Sequence, residues 1–470
     1  MNARSLFVGG TSSNAGKSWM TTAICAWLRR QGVSVAPFKA QNMSNNSYPC
    51  RSGGEIGRAQ VAQAEACGLE PEPAMNPVLL KPAGDGRSQV IVNGRVWKTL
   101  QAREYYACAD DLRPVVQAAY ADLARRFDVV IIEGAGSVTE LNLRDHDLVN
   151  LGLVTSLRSP WMLVADIERG GVFGSVIGTV GLLTDHERAL FRGFAINKFR
   201  GDTSLFDDGV TLLEERTASA CLGVFPYAAD VRLDAEDSLA LDARRQTSPP
   251  PNARIAIVHL PRISNATDFS MLDWADWITA VPEAAYDFVI LPGTKNTTTD
   301  LSWLRATGLA DWVCAQHARG ATLIGICGGY QMMGRVIRDP AGMESTTGDV
   351  NGLNLLPVST ELTPHKRTTV VSATTPRGVT FGAYEIHLGI TDVESPDLPP
   401  FARLADGRAE GVRIDGLIGT YLHGAFENAD VCAEVFGVRP RAVASRAENY
   451  DRMATWFESH VRHAELLGLR

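Results

Sequence analysis

Positive charge is in short supply in this chain: 45 lysines and arginines face 53 aspartates and glutamates, for a formal charge of −8. Nucleic acids and anionic lipid surfaces are gripped by Lys and Arg clusters that displace counterions, so this balance argues against both as general partners and towards small molecules. Long apolar runs are also missing. No stretch reaches the roughly 18–20 residues that span a bilayer, and the chain enters SLFVGG almost at once, without the basic segment, apolar core and small-residue cleavage site of a signal peptide. Paired cysteines are absent too. Cys25, Cys50, Cys67, Cys108, Cys221, Cys314, Cys327 and Cys432 are scattered, with none of the short spacings of a zinc site or redox pair. These absences predict a cytoplasmic protein whose thiols stay reduced and mostly pack as small apolar groups. Internal repeats and low-complexity tracts are lacking as well.

What is present suits an ordinary soluble globular protein of two or three domains: 470 residues, 45% hydrophobic and 21% charged. The first half alternates strand-like and helix-like segments. SLFVGG is short and apolar; Met20, Ala23, Ile24, Trp27 and Leu28 then recur at helical spacing up to Gly32, and VSVAPF follows. DVVIIEG, WMLVADI, GFAINKF and CLGVFPY read as further buried strands, and continuous apolar strands of this kind predict a parallel sheet covered on both faces. Residues 241–253, with three consecutive prolines, read as a linker. A second α/β pattern follows, through RIAIVHL, YDFVILPG, a helical stretch from Leu301 to Ala318, TLIGIC and GLIGTYLHG. The expected fold class is α/β with two domains, residues 1–240 and 254–445, and a C-terminal helix over 446–470.

The segment GGTSSNAGKSW, Gly9 to Trp19, sits at a strand-to-helix junction and ends in the Gly16-Lys17-Ser18 triplet of a phosphate-binding loop. A glycine-rich turn there offers backbone N–H groups and the positive helix end to an anion, with Lys17 on the terminal phosphates and Ser18 on Mg²⁺. Thr11 stands where the usual spacing puts the first glycine, and Gly10 lies one step early. The candidate ATP-binding set is Gly10, Thr11, Asn14, Gly16, Lys17 and Ser18. Glu133, ending the apolar strand before Gly134-Ala135-Gly136, is placed to hold the metal or its water, or else to cap a loop. Asp145, Asp147, Asp166, Glu168 and Glu55 follow strands or glycine turns and are open to either a ligand-binding or a solvated reading at the sheet's carboxyl edge. Lys39 is a candidate to neutralise an anionic substrate or phosphate.

In the second half, Cys327 lies in GICGGYQ between a strand and a helix. This Gly-x-nucleophile-x-Gly turn exposes the side chain while the next amide, that of Gly328, helps to form an oxyanion hole. A thiol nucleophile needs a base, and His423, ending the strand in GTYLHG, supplies one if the two strand ends meet. Gly293 or Thr294 in LPGTKNT can provide the second oxyanion donor.

The longer loop from Gly10 to Gly16 resembles that of dethiobiotin synthetase and its relatives, which phosphorylate carboxylate-type oxygens of small molecules; in that resemblance Asn197 stands where adenine is recognised. Switch ATPases of the same superfamily carry a second, signature lysine early in the loop, where this chain has Ser12. GICGGYQ with YLHG resembles class I glutamine amidotransferases, in which a cysteine thioester releases ammonia from glutamine. Most of those carry His-x-Glu, whereas here Ala425 follows His423-Gly424, a departure shared with the cobyric and cobyrinic acid amidases. Glu385 and Tyr384 in GAYEIHLG are candidates to orient His423, Glu385 equally to bind glutamine or to serve a structural role. Taken together, GTSSNAGKSW, FKAQNMSNNSY, GGEIGRAQ, NPVLLKP, EGAGS, NLRDHDLVN, VADIERGGVF, INKFRGD, LPRISNATDF, LPGTKNT, GICGGYQMMG, YEIHLG and TYLHG resemble the cobyric acid synthase family. That resemblance implies ATP, Mg²⁺ and glutamine as reactants and cofactors. It also implies amidation of the b, d, e and g carboxylates of adenosylcobyrinic acid a,c-diamide by way of an acyl phosphate. The sister a,c-diamide synthases and a non-catalytic ATP switch are the rival readings, and the oligomeric state is left open.

Overall fold

The computed structural model describes residues 3–84, 86–229, 231, 249–250, 252–344, 348–440 and 445–469. Most of the expected linker, residues 241–248 and 251, lies outside the described residues. The first body is built on a six-stranded parallel sheet. Its order is Cys221–Pro226, Phe191–Phe199, Trp161–Asp166, Arg4–Gly10, Val129–Glu133 and Val35–Phe38. Burial of both faces accounts for the near-continuous apolar character of these strands. Val8 sits in register with Glu133 and Gly10 with Val164, so the turn after Gly10 and the carboxylate of Glu133 emerge side by side at the carboxyl edge. The helix Lys17–Arg30 leaves that edge and stops before Gly32, whose φ of 79° suits the turn back into the next strand.

A smaller sheet that the apolar pattern did not announce flanks this body: Val78–Gly84, Arg87–Val92 and Arg95–Gln101 pair antiparallel, with Gln41–Met43 alongside. The second body has its own sheet, in the order Asp276–Ile278, Ile255–Val258, Phe288–Leu291, Thr322–Ile326, Leu417–Thr420 and an antiparallel edge strand Val412–Ile414. Beside it stands a long hairpin, Val358–Thr374 with Thr380–Val393, whose register breaks between Leu362 and Arg367. The helical stretch expected from Leu301 to Ala318 is two helices, Thr297–Ala306 and Leu309–Ala318. The break falls at Gly308, which adopts φ 75° and cannot continue the first helix.

The final helix, Arg446–His460, opens with a Ser445/Glu448 capping box and returns to the first body. Trp456 meets Trp19 at 5.9 Å and Phe457 meets Trp27 at 5.2 Å between ring centroids. Met453, Ala454 and Phe457 join Leu6, Val8 and Ile24 in one buried cluster. The end of the chain therefore completes one face of the sheet with which the chain begins. Among the described residues no helix is long and apolar enough to cross a membrane.

Candidate active sites and the junction between them

Gly16 closes the phosphate loop with φ 102°, and a Cβ there would sit 2.0 Å from Asn197 Nδ2, so both backbone angle and space require glycine. Asn197 is buried under the loop and donates Nδ2 to the Ala15 carbonyl at 3.0 Å. Lys17 folds its stem over Gly10 and donates Nζ to the carbonyls of Ser12 (3.0 Å) and Gly136 (2.8 Å). The Thr11 amide is tied to Val164 O, and the Asn14 carbonyl accepts from Lys198. Ser18 Oγ donates to Glu133 Oε1 at 2.7 Å, and Lys39 Nζ lies 2.9 Å from the same oxygen. Gln63, and Gln60 at 3.4 Å, donate to Oε2, so a fully buried carboxylate is held by four side chains at the root of the loop. Above it opens a cavity of about 360 Å³ lined by Asn14, Lys17, Lys39, Gln41 and Asp147 among others.

One hydroxyl and one carboxylate oxygen beside a phosphate loop form a donor set that fits Mg²⁺, an ion that takes few protein ligands and completes its octahedron with phosphate oxygens and water.

In the second body Cys327 adopts φ 51° and ψ −107°, a strained turn for a residue with a side chain, between Thr322–Ile326 and the short helix Gly328–Met333. The sharpness of that turn depends on Gly328, where a Cβ would stand 2.6 Å from Thr294 Cγ2 and 3.2 Å from the Thr294 amide nitrogen. Gly328 thus packs closely against Thr294, and Gly293 backs onto the His423 ring. His423 is fully buried. Its Nδ1 lies 2.7 Å from Asp268 Oδ2, and Asp268 Oδ1 accepts the Gly424 amide at 2.8 Å. Tyr384 bridges His423 through backbone hydrogen bonds and stacks on its ring at 5.3 Å. Burial disfavours a charged imidazole, but Asp268, with a contribution from the adjacent Cys327, raises His423 to about 10.

Glu55 stands where the two bodies meet. Its buried carboxylate accepts from Ser47 Oγ and Lys81 Nζ, both at 2.8 Å, and from Lys366 of the long hairpin. Burial would raise Glu55, yet Lys366 and Lys81 hold it well below the usual carboxylate range. Burial in turn lowers Lys81 to about 7 despite its Glu55 partner. Asn265 Oδ1 accepts the Ser47 amide, Arg58 pairs with Glu427 at 3.0 Å, and Tyr48 packs on Tyr384 at 4.7 Å. Both Lys81 and Lys366 line the small pocket that contains Cys327.

Residues 6–240 match the CobQ/CobB/MinD/ParA nucleotide binding domain family, and residues 254–431 match the CobB/CobQ-like glutamine amidotransferase domain family. The cobyric acid synthase of Parabacteroides distasonis is 41% identical over 97% of this chain and 97% of its own length. That of Syntrophobacter fumaroxidans is 42% identical over 99% of each chain, and that of Dehalococcoides mccartyi strain CBDB1 is 42% identical over 91% of this chain and 89% of its own. The chain belongs to the cobyric acid synthase family.

Within this member of the cobyric acid synthase family, the residues singled out from the sequence fall into separate places. Gly10, Gly16, Lys17, Ser18, Lys39, Glu133 and Asn197 gather at one loop. Asp147 lines the same cavity, but its carboxylate accepts the Val149, Asn150 and Gly152 amides and so caps the following helix. Asp145 is exposed, and Asp166 pairs with Lys198 at 2.9 Å beside the loop. Glu55 lies at the junction instead. Cys327, Gly328, Gly293 and His423 converge. Glu385 is turned away from His423 and clamped by Arg367 Nε (2.9 Å) and Arg408 (2.7 Å); burial would raise it, but His387 and these arginines hold it at about 2. The carboxylate on His423 is Asp268, inside the quoted segment LPRISNATDF but not distinguished there, because spacing alone cannot pair residues so far apart.

Proposed function

We propose that this chain amidates the b, d, e and g carboxylates of adenosylcobyrinic acid a,c-diamide at the expense of ATP and glutamine, in cobalamin biosynthesis. The observation that carries the reading is the presence, in one chain of this family, of a Cys327–His423–Asp268 constellation and a Lys17–Ser18–Glu133 phosphate loop joined at Glu55. The thiol of Cys327 attacks the glutamine carboxamide carbon. His423, held through Nδ1 by Asp268, carries the Cys327 proton as an imidazolium beside the attacking thiolate and delivers it to the departing ammonia. The amides of Gly328 and of Gly293 or Thr294 receive the oxyanion, and water then releases glutamate from the thioester.

In the first body Lys17 and the loop amides hold the ATP phosphates, and Ser18 and Glu133 would hold Mg²⁺, which would offset phosphate charge. Lys39 neutralises the entering carboxylate or the phosphate passed to it. A carboxylate repels nucleophiles, and phosphorylation to an acyl phosphate removes that charge; ammonia then forms the C–N bond and phosphate leaves. Mass spectrometry of the chain with ATP, Mg²⁺, glutamine and the corrinoid diamide should count four successive amidations. Cys327→Ala should abolish glutamine-driven product and keep ammonium-driven product, whereas Lys17→Ala should lose both. Equal loss with both nitrogen sources in Cys327→Ala would overturn the division of labour, and ammonium-driven product in Lys17→Ala would remove the loop from the reaction.

A further inference from the structure

We infer that Lys295 and Glu344 form the subsite that holds the α-carboxylate and α-ammonium groups of glutamine while its carboxamide meets Cys327. The inference rests on the reading of Cys327 as a glutaminase nucleophile and adds how the site recognises an amino acid.

The pocket around Cys327 is small, about 50 Å³, and its charged lining consists of Lys81, Lys295, Lys366 and Glu344, with His387 beside them. Lys81 and Lys366 are committed to Glu55. Lys295 forms no ion pair among the described residues, although its backbone is pinned through its amide to Arg262 O at 2.9 Å. It follows Thr294 directly, so its ammonium is carried one residue from a candidate oxyanion donor.

Glu344 is fixed just as firmly. Its amide donates to Asp339 Oδ2 at 2.8 Å, and its Oε2 accepts the Thr297 amide at 2.6 Å. Thr297 Oγ1 donates to Gln331 Oε1, and Gln331 Nε2 donates to Tyr421 OH, so the surrounding polar groups are matched to one another rather than to a ligand. Burial lowers the Lys295 ammonium, with Lys366 acting in the same direction and Glu344, Glu55 and Cys327 against it. Burial raises Glu344 to about 7, with Lys295 opposing. A cation on a pinned backbone and a fixed anion, each disfavoured as a charge by its surroundings, gain most from a ligand that brings both complementary charges at once. An α-amino acid does so, and its side-chain amide is left for the thiol.

The test uses the full chain and three amides: glutamine, 4-aminobutyramide, which lacks the α-carboxylate, and glutaramate, which lacks the α-amine. Lys295→Gln should lower kcat/KM for glutamine about tenfold or more, mainly through KM, while leaving 4-aminobutyramide unaffected. Glu344→Gln should do the same for glutamine and spare glutaramate. Where hydrolysis of an analogue is too slow to follow, its dissociation constant against the Cys327→Ala background gives the same comparison. Lys295→Arg, which keeps the charge, should restore part of the preference for glutamine. A variant that weakens all three amides equally, or leaves glutamine unaffected, overturns the subsite. Persistent glutamine hydrolysis by Cys327→Ala would instead overturn the underlying glutaminase reading.

Discussion

Asp268 and His423 approach to 2.7 Å across 155 residues of sequence, and the second oxygen of the same carboxylate takes the Gly424 amide. A carboxylate on Nδ1 fixes the ring plane and stabilises the imidazolium whose Nε2 carries the thiol proton; among the described residues Nε2 has no hydrogen-bond partner of ordinary geometry. The usual acid two residues after the histidine is replaced here by Ala425, and Asp268 reaches the ring from a different strand connection. Asp268→Asn keeps the shape but removes the anion. Glutaminase kcat should fall about 100-fold or more with little change in KM, because a misplaced base fails in the transition state. Ammonium-driven amidation should continue. Rates of glutamate release settle the matter, and an unaltered kcat would take Asp268 out of the machinery.

The same pair makes a prediction about pH. His423 is raised from an ordinary 6.5 to about 10, so the folded protein holds a proton that the unfolded chain gives up above its own lower value. The stabilisation is therefore complete below about pH 6.5 and is lost as pH climbs through 10. Melting temperatures of the parent and of His423→Gln, compared between pH 6 and 10, should converge at the alkaline end. A gap that widens with pH would mean that the buried imidazole is neutral in the fold.

How much of this was legible beforehand depends on the range of the interactions. Strands such as Val129–Glu133 are buried on both faces, so their apolar runs announced a parallel sheet without any knowledge of neighbours. Cys327 was legible because a sharp turn needs glycines next to it in sequence. Asp268 was not, since nothing local marks which of many loop acids will meet a distant histidine. The hairpin of Val358–Thr374 and Thr380–Val393 was hidden for another reason: its faces are partly exposed and partly buried against the first body, which breaks the alternation that identifies a strand. Glu55 was visible as a candidate acid, but its role at the junction depends on Lys366, from a strand far along the chain.

Glu55 tests that junction directly. Its carboxylate offsets Lys81 and Lys366, and Glu55→Gln would leave the Lys366 ammonium without its anion and drive Lys81, already lowered to about 7, to give up its proton. Removing one partner of a buried charge cluster costs about 3–5 kcal/mol. Urea denaturation should show a loss of that order, and Glu55→Asp should recover little because the shorter carboxylate cannot reach both lysines. A loss of less than about 1 kcal/mol would mean that water or rearranged side chains already satisfy the lysines.

Phe457 tests the return of the chain to its first body. It is fully buried and packs on Trp27 and Phe225, in a cluster that contains Leu6 and Val8 of the central strand. The helix that bears it is further tied down by Tyr450 OH to Glu65 and by Trp456 Nε1 to the Pro226 carbonyl. Truncating such a ring leaves a cavity, and Phe457→Ala should cost about 3–5 kcal/mol. Because every one of these contacts is to the nucleotide-binding body, the loss should fall there first. In increasing urea, ATP binding by the variant should fail well before glutamine hydrolysis, whereas in the parent the two should fail closer together. Parallel failure of both activities in the variant would mean that the junction at Glu55 and Arg58 transmits the loss, so that the two bodies unfold as one cooperative unit.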